Sequence, residues 1–135
     1  MELTYQLLRL LHAAEGATNA EIQDVLAELR ITHALADLLW QLDPDVDAPT
    51  MRQMAARLRC DPSTVTFLAD RLEQLGYATR APAGADRRAK ALHLTEDGRA
   101  ARDRLVTAAT TRTPIARLSE AEQRHLHTLL TRALG

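Results

Sequence analysis

The sequence predicts a mainly α-helical protein in which a helix, a tight turn, a second helix and a small basic β-hairpin lie between amphipathic helices at both ends. Three observations carry that expectation. Residues 60–76, CDPSTVTFLADRLEQLG, open with a helix-start signal and close on a helix-stopping glycine. The stretch after them alternates in short strand-like runs around a turn rich in Gly, Pro and Arg. Apolar residues recur at helical spacing on both sides of this region.

Taken in order, Leu3, Leu7, Leu10, Leu11 and Ala14 share one helical face, and Gly16 is expected to stop that helix. Thr18 and Glu21 have capping-box spacing, so a second helix is expected to start there with Ile22, Val25, Leu26 and Leu29 as its apolar face. It continues, through a kink near Arg30 to Thr32, along Leu35, Leu38, Leu39 and Leu42. DPDVDAP then breaks it, because prolines disfavour helix and aspartates prefer turns. Met51 to Leu58 reads as a short helix, RCD as a tight turn and Pro62 to Leu75 as the next helix. Asp61 is its expected N-cap, Pro62 occupies a position where a missing N–H costs nothing, and Gly76 supplies a left-handed stop. YATRA and KALHL form the hairpin, joined by PAGADRRA. Thr95 caps a long helix running to about Thr111, with Ala101, Leu105 and Ala108 on one side, and Thr113 with Pro114 ends it. Ser119 and Glu122 form a capping box for a last helix bearing Leu126, Leu129, Leu130 and Ala133.

The 135 residues are 46% hydrophobic, which suits a globular chain, and no run approaches the length of a membrane span or resembles a secretory leader, so a cytoplasmic location is expected. A single cysteine, Cys60, excludes an internal disulfide framework and any multi-cysteine zinc site. The net charge of −1 conceals an asymmetry: nine acids against two arginines over residues 1–50, then eight bases against four acids over 51–94. A basic middle behind an acidic arm fits a polyanion site.

Val65, Leu68, Leu72 and Leu75 form the buried stripe of the 62–75 helix, which turns Ser63, Thr66, Phe67, Asp70 and Gln74 outward with Thr64 and Arg71 on the flank. Short hydroxyls there let a backbone come close to base edges in a major groove, and Phe67 can meet a thymine methyl. Helix, turn, helix and basic hairpin together make a winged helix-turn-helix, so double-stranded DNA is the expected partner.

The segment AARLRCDPSTVTFLADRLEQLGYATRAPAGADRRAKALHLTEDGRA resembles the DNA-binding core of the MarR family of bacterial regulators. The most specific part is the wing, where Asp86 to Lys90 match the family's D-R-R-A-K and Leu94, Thr95 and Gly98 its L-T-x-x-G. The resemblance implies a homodimeric transcription factor whose terminal helices interlock, most often a repressor that occludes a promoter. It implies that Arg88 enters the minor groove, braced by Asp86, while Arg87 and Lys90 hold phosphates. The domain reading is a platform over 1–46, a DNA-binding module over 47–95 and C-terminal dimerisation helices over 96–135. Two recognition helices then sit roughly 34 Å apart and address half-sites about 10 base pairs apart.

Three positions depart from the family pattern or stay open. Arg59 stands where glycine is favoured, so a left-handed turn there carries about 1 kcal/mol of strain or takes another shape. Phe67 either reads DNA or covers a protein contact, and a winged-helix module for protein–protein interaction is the competing reading. Arg71 either holds a phosphate or pairs with Asp70 or Glu73. Family members sense small aromatic or anionic molecules, or oxidants through cysteine. Trp40 and Arg52 are the candidates for a small-molecule effector; Tyr5, His12 and His33 are further residues that could line a cleft. Cys60 reads as a packing residue, because it lies in the helix-turn-helix turn without a resolving partner, and the first helix, where the family's redox sensors carry their cysteine, has none. His125 and His127 face apart on a helix, and no glycine-rich phosphate loop or Ser/His/Asp set occurs, so no catalytic residue, cofactor or metal is expected.

Overall fold

The computed structural model describes residues 2–83 and 86–135; the side chains of Asp86 and Arg87 lie outside the described residues. Among these, seven α-helices and one two-stranded antiparallel sheet follow in the order α1 (Glu2–Glu21), α2 (Gln23–Leu29), α3 (His33–Gln41), α4 (Met51–Leu58), α5 (Pro62–Gln74), β1 (Ala78–Ala83), β2 (Asp86–Leu94), α6 (Glu96–Arg112) and α7 (Glu120–Leu134). A short 3-10 helix, Pro114–Arg117, precedes α7. No described helix is long and apolar enough to cross a membrane. The fold is the mainly helical winged helix-turn-helix that the sequence predicts.

The chain forms two compact units, residues 1–24 with 107–135, and residues 25–106. The second holds the largest fully buried side chains: Leu26, Leu38, Leu39, Met54, Val65, Leu72, Leu92 and Leu105. These come from α2, α3, α4, α5, β2 and α6, so the helix-turn-helix and the hairpin are built on one apolar core. Ala91 is fully buried in β2, and Thr50, ahead of α4, forms an isolated antiparallel bridge with it. In the other unit α1 packs against the 3-10 helix, and the Arg112 guanidinium donates two hydrogen bonds to Asp24, at 2.8 and 3.1 Å. That bidentate pairing raises the Arg112 pKa further above its ordinary value.

Several local expectations need correction. Gly16 does not stop the first helix: α1 runs through it to Glu21, since an interior glycine costs a helix only about 1 kcal/mol relative to alanine. Thr18 is not an N-cap either, because its hydroxyl donates to the Ala14 carbonyl inside that helix at 2.8 Å. The break falls at Ile22 instead. The kink anticipated at Arg30 to Thr32 is a full termination. Arg30 takes a left-handed φ of 61°, Ile31 N–H returns to the Leu26 carbonyl at 3.0 Å, and Thr32 caps α3 by accepting from Leu35 N–H at 3.2 Å. Asp61 occupies the N-cap of α5 but makes no side-chain capping bond.

Other expectations hold. α4 spans Met51–Leu58 as read, and Gly76 ends α5 at φ 79°. Thr95 caps α6 by accepting from Gly98 N–H at 3.0 Å while its own hydroxyl donates to the Gly76 carbonyl at 2.5 Å. Ala101, Leu105 and Ala108 are buried, and both bonds of the Ser119–Glu122 capping box form.

Candidate nucleic-acid interface

The position of α4 is set before the helix begins. Gln53 N–H donates to the Thr50 hydroxyl at 3.1 Å, Thr50 N–H donates to the Gln53 side chain at 2.8 Å, and Met54 and Ala55 then enter the core. The turn after α4 needs a left-handed residue, and Arg59 supplies it at φ 52° and ψ 45°. With Arg59 so placed, Cys60 N–H reaches the Ala55 carbonyl at 3.1 Å, closing the turn. Of the two possibilities the sequence left for Arg59, the left-handed one is taken; a non-glycine there costs about 1 kcal/mol or more. Cys60 itself is half-buried.

Val65, Leu68, Ala69 and Leu72 fasten α5 to the core, so Ser63, Thr64, Thr66, Phe67, Asp70, Arg71 and Gln74 are all exposed on the opposite side. Phe67 is 71% exposed, a large apolar side chain left mostly to solvent. The Thr66 hydroxyl donates to the Pro62 carbonyl at 3.0 Å, which leaves its oxygen lone pairs facing outward as acceptors.

A residue that sequence spacing does not single out holds this face in place. Arg80, on β1, places its guanidinium 2.8 Å from Asp70 Oδ1 and 3.1 Å from Glu73 Oε2 and donates to the Thr66 carbonyl at 3.1 Å. Its backbone N–H donates to Glu73 Oε1 at 2.8 Å. The two carboxylates considered for Arg71 are therefore held by Arg80, and Arg71 donates to Gln74 at 3.3 Å instead. No spacing rule finds such a contact, because it joins a helix to a strand across a turn. Arg80 braces the hairpin against α5 and neutralises two acids beside the hydroxyl-rich face. Arg80→Ala is expected to weaken duplex binding about tenfold, on the order of 1.4 kcal/mol, with Arg80→Lys recovering only part because lysine lacks the planar fork. Unchanged affinity in fluorescence anisotropy would leave Arg80 a purely internal brace.

Along the hairpin, Ala78 to Pro82 pair with Leu94 to Lys90, and the register shifts between Pro82 and Ala83. Arg88 and Lys90 are exposed, two residues apart on β2. The anticipated brace from Asp86 to Arg88, and the role given to Arg87, fall on side chains outside the described residues. Arg52 lines an open cavity with Thr50, Met51, Arg88, Ala89 and Lys90, in which Trp40 has no part. Trp40 is 40% exposed on α3, and its carbonyl accepts from Arg102 at 3.1 Å. The two effector candidates thus stand in different surroundings.

A model of the MarR family matches residues 36–89. Over 110 residues the chain is 33% identical to the organic hydroperoxide resistance transcriptional regulator of Bacillus subtilis, covering 78% of this chain and 71% of that protein. Among solved structures, the transcriptional regulator PA3341 is 28% identical with a TM-score of 0.79, covering 95% of each chain. Bordetella bronchiseptica BpsR, described with the regulation of its DNA binding by 6-hydroxynicotinic acid, is 27% identical with a TM-score of 0.69, covering 93% of this chain and 90% of that one.

Proposed function

Because the chain belongs to the MarR family and is a DNA-binding transcriptional regulator, we propose that it acts as a homodimeric repressor on a pseudo-palindromic operator. The observation that carries this reading is the exposed Ser63, Thr64, Thr66 and Phe67 face of α5, joined through Arg80 to the strand pair bearing Arg88 and Lys90. α5 enters the major groove, with its hydroxyls toward base edges and Phe67 toward a thymine methyl, while Arg71 reaches a phosphate. Arg88 enters the adjacent minor groove, where narrowing concentrates negative potential, with Asp86 bracing it and Arg87 and Lys90 on the backbone.

In this reading residues 47–95 are the DNA-binding module, and the helices of 1–46 and 96–135 pair with a second copy. Occupancy of the operator excludes polymerase in the cytoplasm. BpsR supports a small-molecule effector for this chain as well, one that relieves repression by changing the spacing of the two α5 helices.

The test is a pair of arginines. Arg88→Ala is expected to raise the operator Kd at least tenfold, roughly 1.4 kcal/mol or more, whereas Arg99→Ala, exposed at the start of α6, leaves it within about twofold. Equal effects in a gel shift would remove the hairpin from recognition.

A further inference from the structure

The cavity between the start of α4 and the hairpin differs in charge from its neighbours in the same unit. Among the described residues, three of the six that line it are cations, Arg52, Arg88 and Lys90, and none is an acid. A second cavity beside α2 and α6 sets Arg30 and Arg104 against Glu28 and Asp97, and a third under the 43–49 segment sets Arg99 against Asp43. Of these three, as lined by the described residues, the first alone concentrates one sign of charge. Its walls are also held together: Thr50, which caps α4, pairs with Ala91 of β2, so Arg52 is fixed two residues from the bridge on one side and Lys90 one residue from it on the other. Among the described residues the apolar lining is Met51 and Ala89, too little to shelter an aromatic ring.

We propose that Arg52 completes a seat for one phosphodiester of the duplex backbone, held jointly with Lys90 beside the groove that Arg88 enters. This rests on the DNA-binding reading above and moves Arg52 from effector sensing to DNA anchoring. An arginine fork suits the two non-bridging oxygens of a phosphate, and a contact of this kind sets register without reading sequence. Arg52 then fixes where α4 meets the backbone, while the hairpin reaches past it.

The salt dependence of binding provides the test, using the full chain with operator and random duplexes. Each neutralised phosphate adds about 0.9 to the slope of log K against log salt, so Arg52→Ala is expected to lower the slope by about one. Operator and random affinities should fall by the same factor, about five- to tenfold near physiological salt, and Arg52→Lys should restore the slope. Unchanged slope in a chain whose parent binds duplex overturns the seat alone; a parent that binds no duplex overturns both readings. A lost preference for operator over random duplex would make Arg52 a base reader and overturn the phosphate assignment. Inorganic phosphate titrated into DNA-free protein, followed through the Arg52 Nε–H resonance, distinguishes the source. Saturation below about 1 mM, roughly 4 kcal/mol of binding, would mark a site for free oxyanions and overturn the backbone assignment.

Discussion

Alanine at position 98 is expected to destabilise the folded protein by about 3 kcal/mol and to lower its melting temperature by roughly 10 °C. A Cβ on Gly98 would lie 1.8 Å from the Tyr77 carbonyl oxygen and 2.8 Å from its carbon, and these are backbone atoms that cannot rotate away. Nor is that carbonyl free to move. It accepts from Thr95 N–H at 3.0 Å, and Tyr77 N–H is held by the Leu72 carbonyl at 3.0 Å. The Tyr77 hydroxyl also donates to the Leu29 carbonyl at 2.9 Å. Relieving the clash therefore disturbs the joint between α5, the first turn of α6 and the end of α2 together. Against a typical total of 5–15 kcal/mol, roughly 3 kcal/mol is a large share. Gly16 provides the internal contrast. It lies within α1, and a Cβ added there would meet nothing within 4 Å, so Gly16→Ala should raise stability by up to about 1 kcal/mol. Thermal unfolding followed by circular dichroism measures both, and equal shifts for the two variants would contradict the steric account.

The same two glycines mark what a sequence displays and what it conceals. Signals that act within one turn were legible: the Ser119–Glu122 box, the Thr95 cap, the limits of α4, and the Val65, Leu68 and Leu72 stripe that dictates which side of α5 faces out. The hydroxyl face was legible for that reason, since burial of one stripe determines the opposite one. Gly16 misled because a local preference of about 1 kcal/mol is overridden by the rest of a 20-residue helix. Arg30 misled because arginine carries no left-handed signature, yet the helix ends there at φ 61°. The placements of Arg80 and Arg52 were hidden for a different reason. Asp70 and Glu73 meet Arg80 across a turn, and Arg52 lines a cavity with hairpin residues where Thr50 pairs with Ala91, so neither arrangement has a period to detect.

A chain bearing Leu7→Asp and Leu11→Asp is expected to sediment as a single copy at micromolar concentration and to lose operator affinity by about 10²- to 10⁴-fold. α1 is an apolar helix without a core of its own: Leu3, Tyr5, Leu7, Leu8, Leu10 and Leu11 are all about half exposed or more, and no residue of α1 is buried. α7 is similar, with Leu129, Leu130 and Leu134 exposed and no residue buried. Fully burying one such side chain stabilises by about 1.5–3 kcal/mol, and a twofold-symmetric contact buries each residue twice. Association costs about 4–15 kcal/mol in lost motional freedom, an amount that several leucines per chain can offset. Aspartates at 7 and 11, one turn apart on one face, put two charges into that contact on each chain and reverse the balance. The effect on DNA then follows without any change in α5 or the hairpin. Two tethered half-site contacts act as one binding event at high effective concentration, and separated chains must each bind alone at the affinity of a single module. Weak, salt-sensitive binding to random duplex should accordingly survive in the variant while operator binding collapses. Wild-type protein sedimenting as one chain, or a monomeric variant that retains operator affinity, would refute the pairing of terminal helices.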